Sequence, residues 1–350
     1  MKIALQYAPG PRVTELGSLS RAAEDAGLDG LGLASPYGFY SGAGRLIEST
    51  ERIRVATSVL PLFHGTPFMH ASSAMMLQEM SGGRFILGVG SQTKGQVRTQ
   101  AGFDPQKPAL RARDMVRAIR ALLSGERGYD GEYYHVTGVG SLAAGGVGAA
   151  PPPIYFSGVN PLNLRITGEI GDGMLAHPIF SRRYYDDVVW PAIEEGMRRS
   201  ARSRADFEMC AMPMIWVVDE TTSREEGLRR GKRNLANYYS TRAYGGYMEF
   251  HGWARERDDI RAVWERARES GRPIDGHEME EILSDEIVEE ICLIGTPDEV
   301  RDLARERYEG VAETLFMYSL HDGYNRAGDE AEKNERNLYR VIEAFRGFDG

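Results

Sequence analysis

The stretch from Arg52 to Lys94 constrains the fold most, because it reads as strand, loop, helix, strand and loop. Residues 53–57 form a short β-rich run, and residues 85–89 form an almost continuous apolar run, as expected for a strand covered on both faces. Pro67 opens the intervening helix, and Ser-Gly-Gly at 81–83 ends it. The apolar positions of that helix fall on one face: Met69, Met76, Leu77 and Met80. This pattern is a βαβ unit, the crossover that parallel strands need.

The same alternation continues along the chain and predicts eight strands, at residues 2–7, 30–34, 53–58, 85–89, 154–157, 173–177, 209–218 and 314–318. Segments with helical periodicity separate them. This order favours the α/β class and a closed (β/α)8 TIM barrel, one domain over residues 1–350 with insertions after strands 4 and 7. An open doubly wound sheet is less favoured, because no G-x-G-x-x-G motif follows the first strand.

Composition and charge narrow the range of partners. The 350 residues are 42% hydrophobic and 27% charged, which is ordinary for a globular enzyme. A formal net charge of −9 argues against nucleic acid or an anionic membrane as a partner. No apolar run is long enough to cross a membrane, and Met1 leads almost directly into the first strand, so we expect a cytoplasmic protein. Cys210 and Cys292 are far apart, which predicts reduced, structural cysteines.

Two glycine-containing loops follow predicted strands. Residues 88–94 contain two glycines, two hydroxyls and Lys94, so freed backbone N–H groups and a positive charge could bind an anion. Residues 157–161 stand between the fifth strand and its helix, where free N–H groups favour a phosphate. Each loop could also be a strand end punctuated by glycine. Together on one barrel rim, they suggest a phosphorylated cofactor or substrate.

The histidines do not indicate a metal site. The seven histidines contain no H-E-x-x-H motif and no close pair suited to one ion, so no metal is expected. No G-x-S-x-G nucleophile motif is present either. His177 ends a strand on the predicted active face and is the histidine of most interest for catalysis. The alternative is a strand-end histidine that is hydrogen-bonded to backbone.

Several longer motifs together resemble the luciferase-like monooxygenase superfamily, and within it the oxidoreductases that use the deazaflavin coenzyme F420. The similar segments cover nearly the whole chain: ERIRVATSVL, SGGRFILGVGSQ, PPPIYFSGVNPLNLRITGEIGDGMLAHP, NYYSTRAYGGYMEFHGW and LSDEIVEEICLIGTPDEVRDLARERY. The resemblance implies hydride transfer between the deazaflavin and a small organic substrate, and it suggests a homodimer. An FMN-dependent monooxygenase on the same barrel is the nearest alternative. A deazaflavin-binding protein without turnover is an alternative of another class.

The resemblance also implies cofactor-binding residues. Relatives often have a non-prolyl cis peptide at the end of strand three, which predicts a cis bond between Ser58 and Val59, next to Thr57. The loop that meets the polar tail of the cofactor is matched by Gly90, Ser91 and Gln92, with Lys94 close by. The loop that grips the phosphate is matched by Gly158, Val159, Asn160 and Pro161.

The chain departs from the family pattern at two catalytic positions. Ser35 and Pro36 stand where many relatives carry an Asp-His pair, and Ser35 is counted among the predicted cofactor-binding residues. Thr93 stands near the place of a glutamate that serves some relatives as proton donor. The usual acid is therefore missing, and Tyr37 and His177 are the candidate catalytic residues, with Lys94 as a further substitute. Residues 138–150, rich in Gly and Ala, are a candidate lid.

Overall fold

The computed structural model describes residues 1–7, 12–34, 38–138, 140, 142, 150–274, 276–321 and 329–348. Its strands are β1 Lys2–Tyr7, β2 Gly30–Leu33, β3 Arg54–Thr57, β4 Leu60–Pro61, β5 Phe85–Gly90, β6 Tyr129–Asp130, β7 His135–Val136, β8 Ile154–Ser157, β9 Gly173–Leu175, β10 Glu208–Ala211, β11 Met214–Val217, β12 Cys292–Gly295 and β13 Thr314–Ser319. The helices are α1 Leu16–Asp25, α2 Phe39–Glu48, α3 Pro67–Met80, α4 Lys94–Gln96, α5 Pro108–Leu123, α6 Pro161–Ile170, α7 Arg182–Tyr184, α8 Trp190–Arg199, α9 Arg224–Tyr239, α10 Gly245–His251, α11 Ala254–Ser270, α12 His277–Glu280, α13 Asp285–Ile291, α14 Pro297–Tyr308 and α15 Asp329–Ala344.

A closed parallel barrel forms the centre of the protein. Its strands follow the order β1, β2, β3, β5, β8, β9, β10 with β11, and β13, and β13 pairs with β1 to close it. In the closing pair Leu5 lies opposite Met317, and on the other side of β1, Ala4 lies opposite Gly30. The strands are almost entirely buried because helices cover the outside of the barrel. The predicted (β/α)8 barrel is thus confirmed.

The sequence predicts the seventh barrel strand as one continuous segment, but the structure divides this strand into two. It is broken into β10 and β11 at Pro213, which has no N–H to give to a neighbouring strand. The two halves pair in turn with the start and the end of β13, and the Pro213 carbonyl still accepts a hydrogen bond from Tyr318.

The strand β12 is absent from the sequence prediction. It pairs with β11 outside the closed barrel, with Met214 opposite Cys292. Its four residues are all buried, and they follow the helix α13 directly. A short apolar run after a helix gives no periodicity by which to assign a strand.

Charged side chains tie the strands together at their amino ends. Arg54 at the start of β3 makes two hydrogen bonds to Glu208 at the start of β10, with N–O distances of 2.7 and 2.6 Å. Thr314 and Tyr155 also donate to this carboxylate. Burial alone would raise the pKa of Glu208, but these hydrogen bonds outweigh it and lower the pKa to about 2.

The helix α3 begins where the sequence places it, with Thr66 accepting a hydrogen bond from Met69 and Pro67 in the first turn. Its apolar face, however, is only partly buried. Leu77 is buried, whereas Met69, Met76 and Met80 are exposed. The opposite side of the helix, which carries small residues such as Ala71 and Ala74, packs against the barrel instead. Within the described ranges, no helix combines the length and the apolar character needed to cross a membrane.

Candidate active site

A cavity of about 620 Å³ opens at the carboxyl ends of the barrel strands. All eight barrel strands or the loops directly after them contribute to it, through Gln6, Ala34, Ser58, Gly90, Ser157, Leu175, Met212 and Tyr318. In α/β barrels this end carries the active site, because the loops there can vary without disturbing the barrel. The cavity is therefore the candidate active site.

Most of the predicted site residues lie in this cavity. Its lining includes Ser58, Val59, Gly90, Ser91, Gln92, Lys94, Val159, Asn160 and His177. Thr57, Gly158 and Pro161 do not line it. Ser35 and Tyr37 lie outside the described residues, as does most of the candidate lid at 138–150.

The three predicted residues that do not line the cavity support the residues that do. The hydroxyl of Thr57 donates to the carbonyl of Gly88 and accepts from its N–H, so it joins β3 to β5. A side chain at Gly158 would place its Cβ 2.8 Å from the backbone of Asn163, so glycine permits the close approach of α6. Pro161 occupies the first turn of that helix.

The floor of the cavity lies between β1 and β3. The peptide bond between Ser58 and Val59 is cis, as predicted. The Gln6 side-chain nitrogen donates to the Ser58 carbonyl at 3.1 Å, and Gly32 makes room for Gln6, since a Cβ there would lie 2.2 Å from its side-chain oxygen. Among the described residues, the Gln6 oxygen and the Ser58 hydroxyl are buried without a hydrogen-bond partner. Buried polar atoms of this kind are costly unless a ligand or water bonds to them.

The mouth of the cavity carries two exposed cations, Lys94 and Lys107, and neither forms an ion pair with a described residue. Lys107 and Gln92 have left-handed backbone conformations, with φ of 50° and 57°. Residues other than glycine seldom adopt this conformation, and it is often found at functional sites. The mouth of the cavity is therefore positively charged and has an unusual backbone conformation, and its charge favours an anionic group.

The amino end of α6 reaches the same mouth. The Asn160 side chain accepts the N–H of Asn163 at 3.0 Å and caps the helix. Pro161 has no N–H, and the N–H of Leu164 bonds to the Asn160 carbonyl. Within the described part of the chain, this leaves the N–H of Leu162 as the first-turn donor that an anion can use.

His177 and Tyr244 form the polar part of one wall. His177 Nε2 lies 3.0 Å from the Tyr244 hydroxyl, and His177 Nδ1 accepts the N–H of Ile179 at 3.4 Å. Since Nδ1 accepts, the proton of the neutral ring is on Nε2, which donates to Tyr244. Burial lowers the pKa of His177 to about 3 and raises the pKa of Tyr244, so both are neutral at physiological pH. The Tyr244 hydroxyl thus keeps its own proton available for donation.

A second hydrogen-bonded pair, formed by two tyrosines, lies in the same cavity. Tyr238 donates to the Tyr318 hydroxyl at 3.1 Å, and that hydroxyl lies 2.9 Å from His321 Nε2. Gln6, Tyr238, Tyr244 and Tyr318 are not among the residues predicted from sequence to form the site. The Tyr/Gly-rich segment 238–247 and a glutamine inside the first strand were the available signals.

Comparisons with known proteins agree with this architecture. The family model of the luciferase-like monooxygenases matches residues 2–314. The chain is 27% identical to the 5,10-methylenetetrahydromethanopterin reductase of Archaeoglobus fulgidus, covering 87% of this chain and 90% of that protein. It is 32% identical to an F420-dependent glucose-6-phosphate dehydrogenase of Intrasporangium calvum, covering 46% and 49%. The coenzyme F420-dependent tetrahydromethanopterin reductase of Methanopyrus kandleri superposes with a TM-score of 0.71 at 19% identity, covering 99% of each chain.

The fold and the site define a (β/α)8 barrel protein with its cavity at the carboxyl ends of the strands. The family match extends over most of the chain, and it agrees with the resemblance seen in the sequence motifs. The chain belongs to the luciferase-like monooxygenase family.

Proposed function

We propose that this protein is a coenzyme F420-dependent oxidoreductase that transfers a hydride between the deazaflavin and a small organic substrate. The observation that carries the proposal is the convergence of the predicted cofactor-binding residues on one cavity with a polar floor and a cationic mouth. Relatives that are named F420-dependent support the choice of cofactor. When bound, F420 supplies or accepts a hydride, since a ring carbon replaces the reactive nitrogen of a flavin.

The chain offers complementary groups to both ends of such a cofactor. Gln6 and Ser58 have buried polar atoms that lack partners, and these fit the polar edge of a ring on the cavity floor. Lys94, Lys107 and the N–H of Leu162 fit the phosphate and carboxylates of an anionic tail at the mouth. The cavity residues therefore bind and orient the cofactor.

Tyr244 is the group we assign to the substrate. Its hydroxyl accepts from His177 and can donate its own proton to a substrate oxygen in the cavity. A donor placed here stabilises negative charge that develops on that oxygen during hydride transfer to a carbonyl. Tyr244 is a catalytic residue in this proposal, and His177 is a positioning residue. The neutral tyrosine takes the place of the acid that the sequence lacks.

Titration of the purified protein with F420 and, separately, with FMN tests the proposal through quenching of cofactor fluorescence. We expect F420 to bind more tightly than FMN. Preference for FMN would assign the protein to the monooxygenases, and binding of neither would overturn the site. Binding of F420 without turnover on a panel of alcohols and carbonyl compounds would favour a deazaflavin-binding protein.

Replacing Lys107 by glutamine is expected to raise the Kd for F420 by about fivefold, because an exposed ion pair contributes at most about 1 kcal/mol. The same titration measures this change, and the difference should shrink at high salt because exposed charges are screened. The Arg255→Gln variant is the control, since Arg255 is an exposed cation that does not line the cavity. Equal effects of the two substitutions would contradict a role for Lys107.

We also propose that two copies of the chain associate through α3. Among the described residues, seven large apolar side chains are exposed, and four of them lie on this helix: Phe68, Met69, Met76 and Met80. At about 100° per residue, these four positions lie within about 120° of one another around the helix axis. Contiguous exposed apolar surface of this kind marks an interaction site, and a twofold axis beside α3 would cover the patch on both copies.

The Met76→Glu substitution is expected to convert the dimer into a monomer, because it places a charge in the centre of the apolar face. Met76 is 61% exposed in the single chain, so the substitution leaves the fold intact. Light scattering after gel filtration should give twice the chain mass of 38.9 kDa for the wild type and the chain mass for the variant. Val13→Glu alters an exposed apolar residue elsewhere and should remain dimeric. A monomeric wild type would refute the proposal.

A further inference from the structure

A second cavity of about 700 Å³ lies outside the barrel. It is formed by the end of α9, the short turn 242–244, one face of α11 and the loop that follows α11. Arg261, Trp264 and Arg268 are three, four and seven positions apart on α11, so they share one helical face. None of the predicted site residues lines this cavity, although Ser240 and Arg242 belong to a segment that carries the family resemblance.

The wall of this cavity is strongly cationic. It contains four guanidinium groups and one carboxylate, Glu265, among the residues that the structure describes. Arg272 is paired with Glu278 at 2.6 Å. The other three, Arg242, Arg261 and Arg268, form no ion pair with any residue in the described ranges. In a chain of net charge −9, a wall in which arginines outnumber carboxylates and three arginines form no ion pair is a natural site for an anion.

Hydrogen-bonding capacity in this wall is also unused. The Nε of Arg261 and the indole nitrogen of Trp264 are buried, and neither has a partner among the described residues. Both are donors only, so the missing partner is an acceptor. Burial, together with the positive charges of Arg257 and Arg242, lowers the pKa of Arg261 and outweighs the opposite effect of Asp258 and Glu249. An anion in the cavity would supply both an acceptor and the opposing charge.

We propose that this cavity binds an organic anion in which a phosphate or carboxylate group is attached to a planar or apolar body. Arginine forks are well suited to oxyanions, and Trp264 provides aromatic surface for the body. The volume is too large for an inorganic ion alone and is in the range of small-molecule sites. The site is separate from the barrel cavity, although the short turn 242–244 borders both: Arg242 lines the second cavity, and Tyr244 lines the first.

Isothermal titration of the full-length protein with phenyl phosphate and with benzoate tests this site. Arg268→Gln and Arg261→Gln should each raise the Kd for the bound probe by about tenfold, the loss expected for a charge-assisted hydrogen bond. Arg266→Gln changes a cation of the same helix that does not line the cavity and should bind like the wild type. Glu265→Gln should tighten binding by about twofold to fivefold, because it removes the carboxylate of the wall. Damage to the fold cannot produce that gain.

The barrel mouth also carries cations, so the titration must separate the two sites. Lys107→Gln should leave the Kd for phenyl phosphate unchanged if the arginine cavity is the site. Loss of binding in Lys107→Gln, with none in Arg268→Gln, would place the probe at the barrel mouth and overturn the proposal. Absence of binding by both probes, or no response to Glu265→Gln, would also overturn it. Binding of one probe alone supports the site and identifies the preferred oxyanion.

Discussion

Replacing Tyr244 by phenylalanine is expected to lower kcat by about 100-fold and to leave the Kd for F420 unchanged. The substitution removes the hydroxyl that donates to the substrate oxygen, and loss of one donor of this kind costs about two to three orders of magnitude in kcat. The ring, which packs against His177 with centroids 4.6 Å apart, remains in place. Initial rates at saturating substrate, with a carbonyl or alcohol compound found in the substrate panel, measure the effect.

Tyr238→Phe is the matched control, because it removes a hydroxyl from another tyrosine of the same cavity. Its hydroxyl donates to Tyr318, so we expect a much smaller loss of kcat. Similar losses in the two variants would contradict the assignment of Tyr244.

For the positioning role of His177, we expect His177→Phe to lower kcat more than it changes KM. Because burial holds the pKa of His177 at about 3, no step in the wild-type pH profile near neutrality should come from this residue.

Replacing Arg54 by methionine is expected to lower the free energy of unfolding by about 3 kcal/mol, near the lower end of what removal of one partner from a buried pair costs. Glu208 would keep its hydrogen bonds from Thr314 and Tyr155 but lose its counter-charge. Both side chains of the pair retain some solvent contact, which screens part of the loss. Chemical denaturation followed by circular dichroism measures the change.

The same pair gives a pH dependence with a definite sign. The pKa of Glu208 is about 2 in the folded protein, below its ordinary value of 4.5, so the unfolded chain binds more protons between these values. The stabilisation is therefore complete above about pH 5 and is lost as the pH falls toward 2. Arg54→Met should flatten this part of the stability curve. Arg98→Met, which breaks an exposed ion pair with Asp104, should change the stability and its pH dependence much less. An unchanged acid limb in Arg54→Met would contradict the assignment.

Sequence patterns predicted the eight barrel strands because parallel strands buried on both faces leave apolar runs separated by amphipathic helices. They did not predict the break at Pro213 or the extra strand β12. The break and the extra strand depend on the pairing of β11 with β12 and β13, two strands that come much later in the chain. The apolar positions of α3 share one helical face, but the pattern alone does not say that this face points toward the barrel, and three of the four positions are exposed in the structure.

For the candidate site, the motif resemblance located the loops after the third, fourth and fifth barrel strands, which are β3, β5 and β8 in the structure. These three loops lie in one cavity. The resemblance also implied the cis bond between Ser58 and Val59, which the structure contains. The roles assigned to these residues stay predictions. Tyr318 was missed because it matches no quoted motif, and Tyr244 was missed although it lies in a quoted motif, because the motif does not say which of its tyrosines faces the cavity.

The sequence by itself determined the α/β class, the positions of the eight barrel strands along the chain and the family, since these depend on periodicity and local motifs. The tertiary structure alone decided which polar groups meet. Folding brings Tyr244 within 3.0 Å of His177, 67 residues away along the chain, and collects Arg242, Arg261 and Arg268 around one cavity. The reason is physical. Hydrophobic patterning reports on neighbours within one helix or strand, whereas the chemistry of a site depends on distances between side chains that the closed barrel fixes.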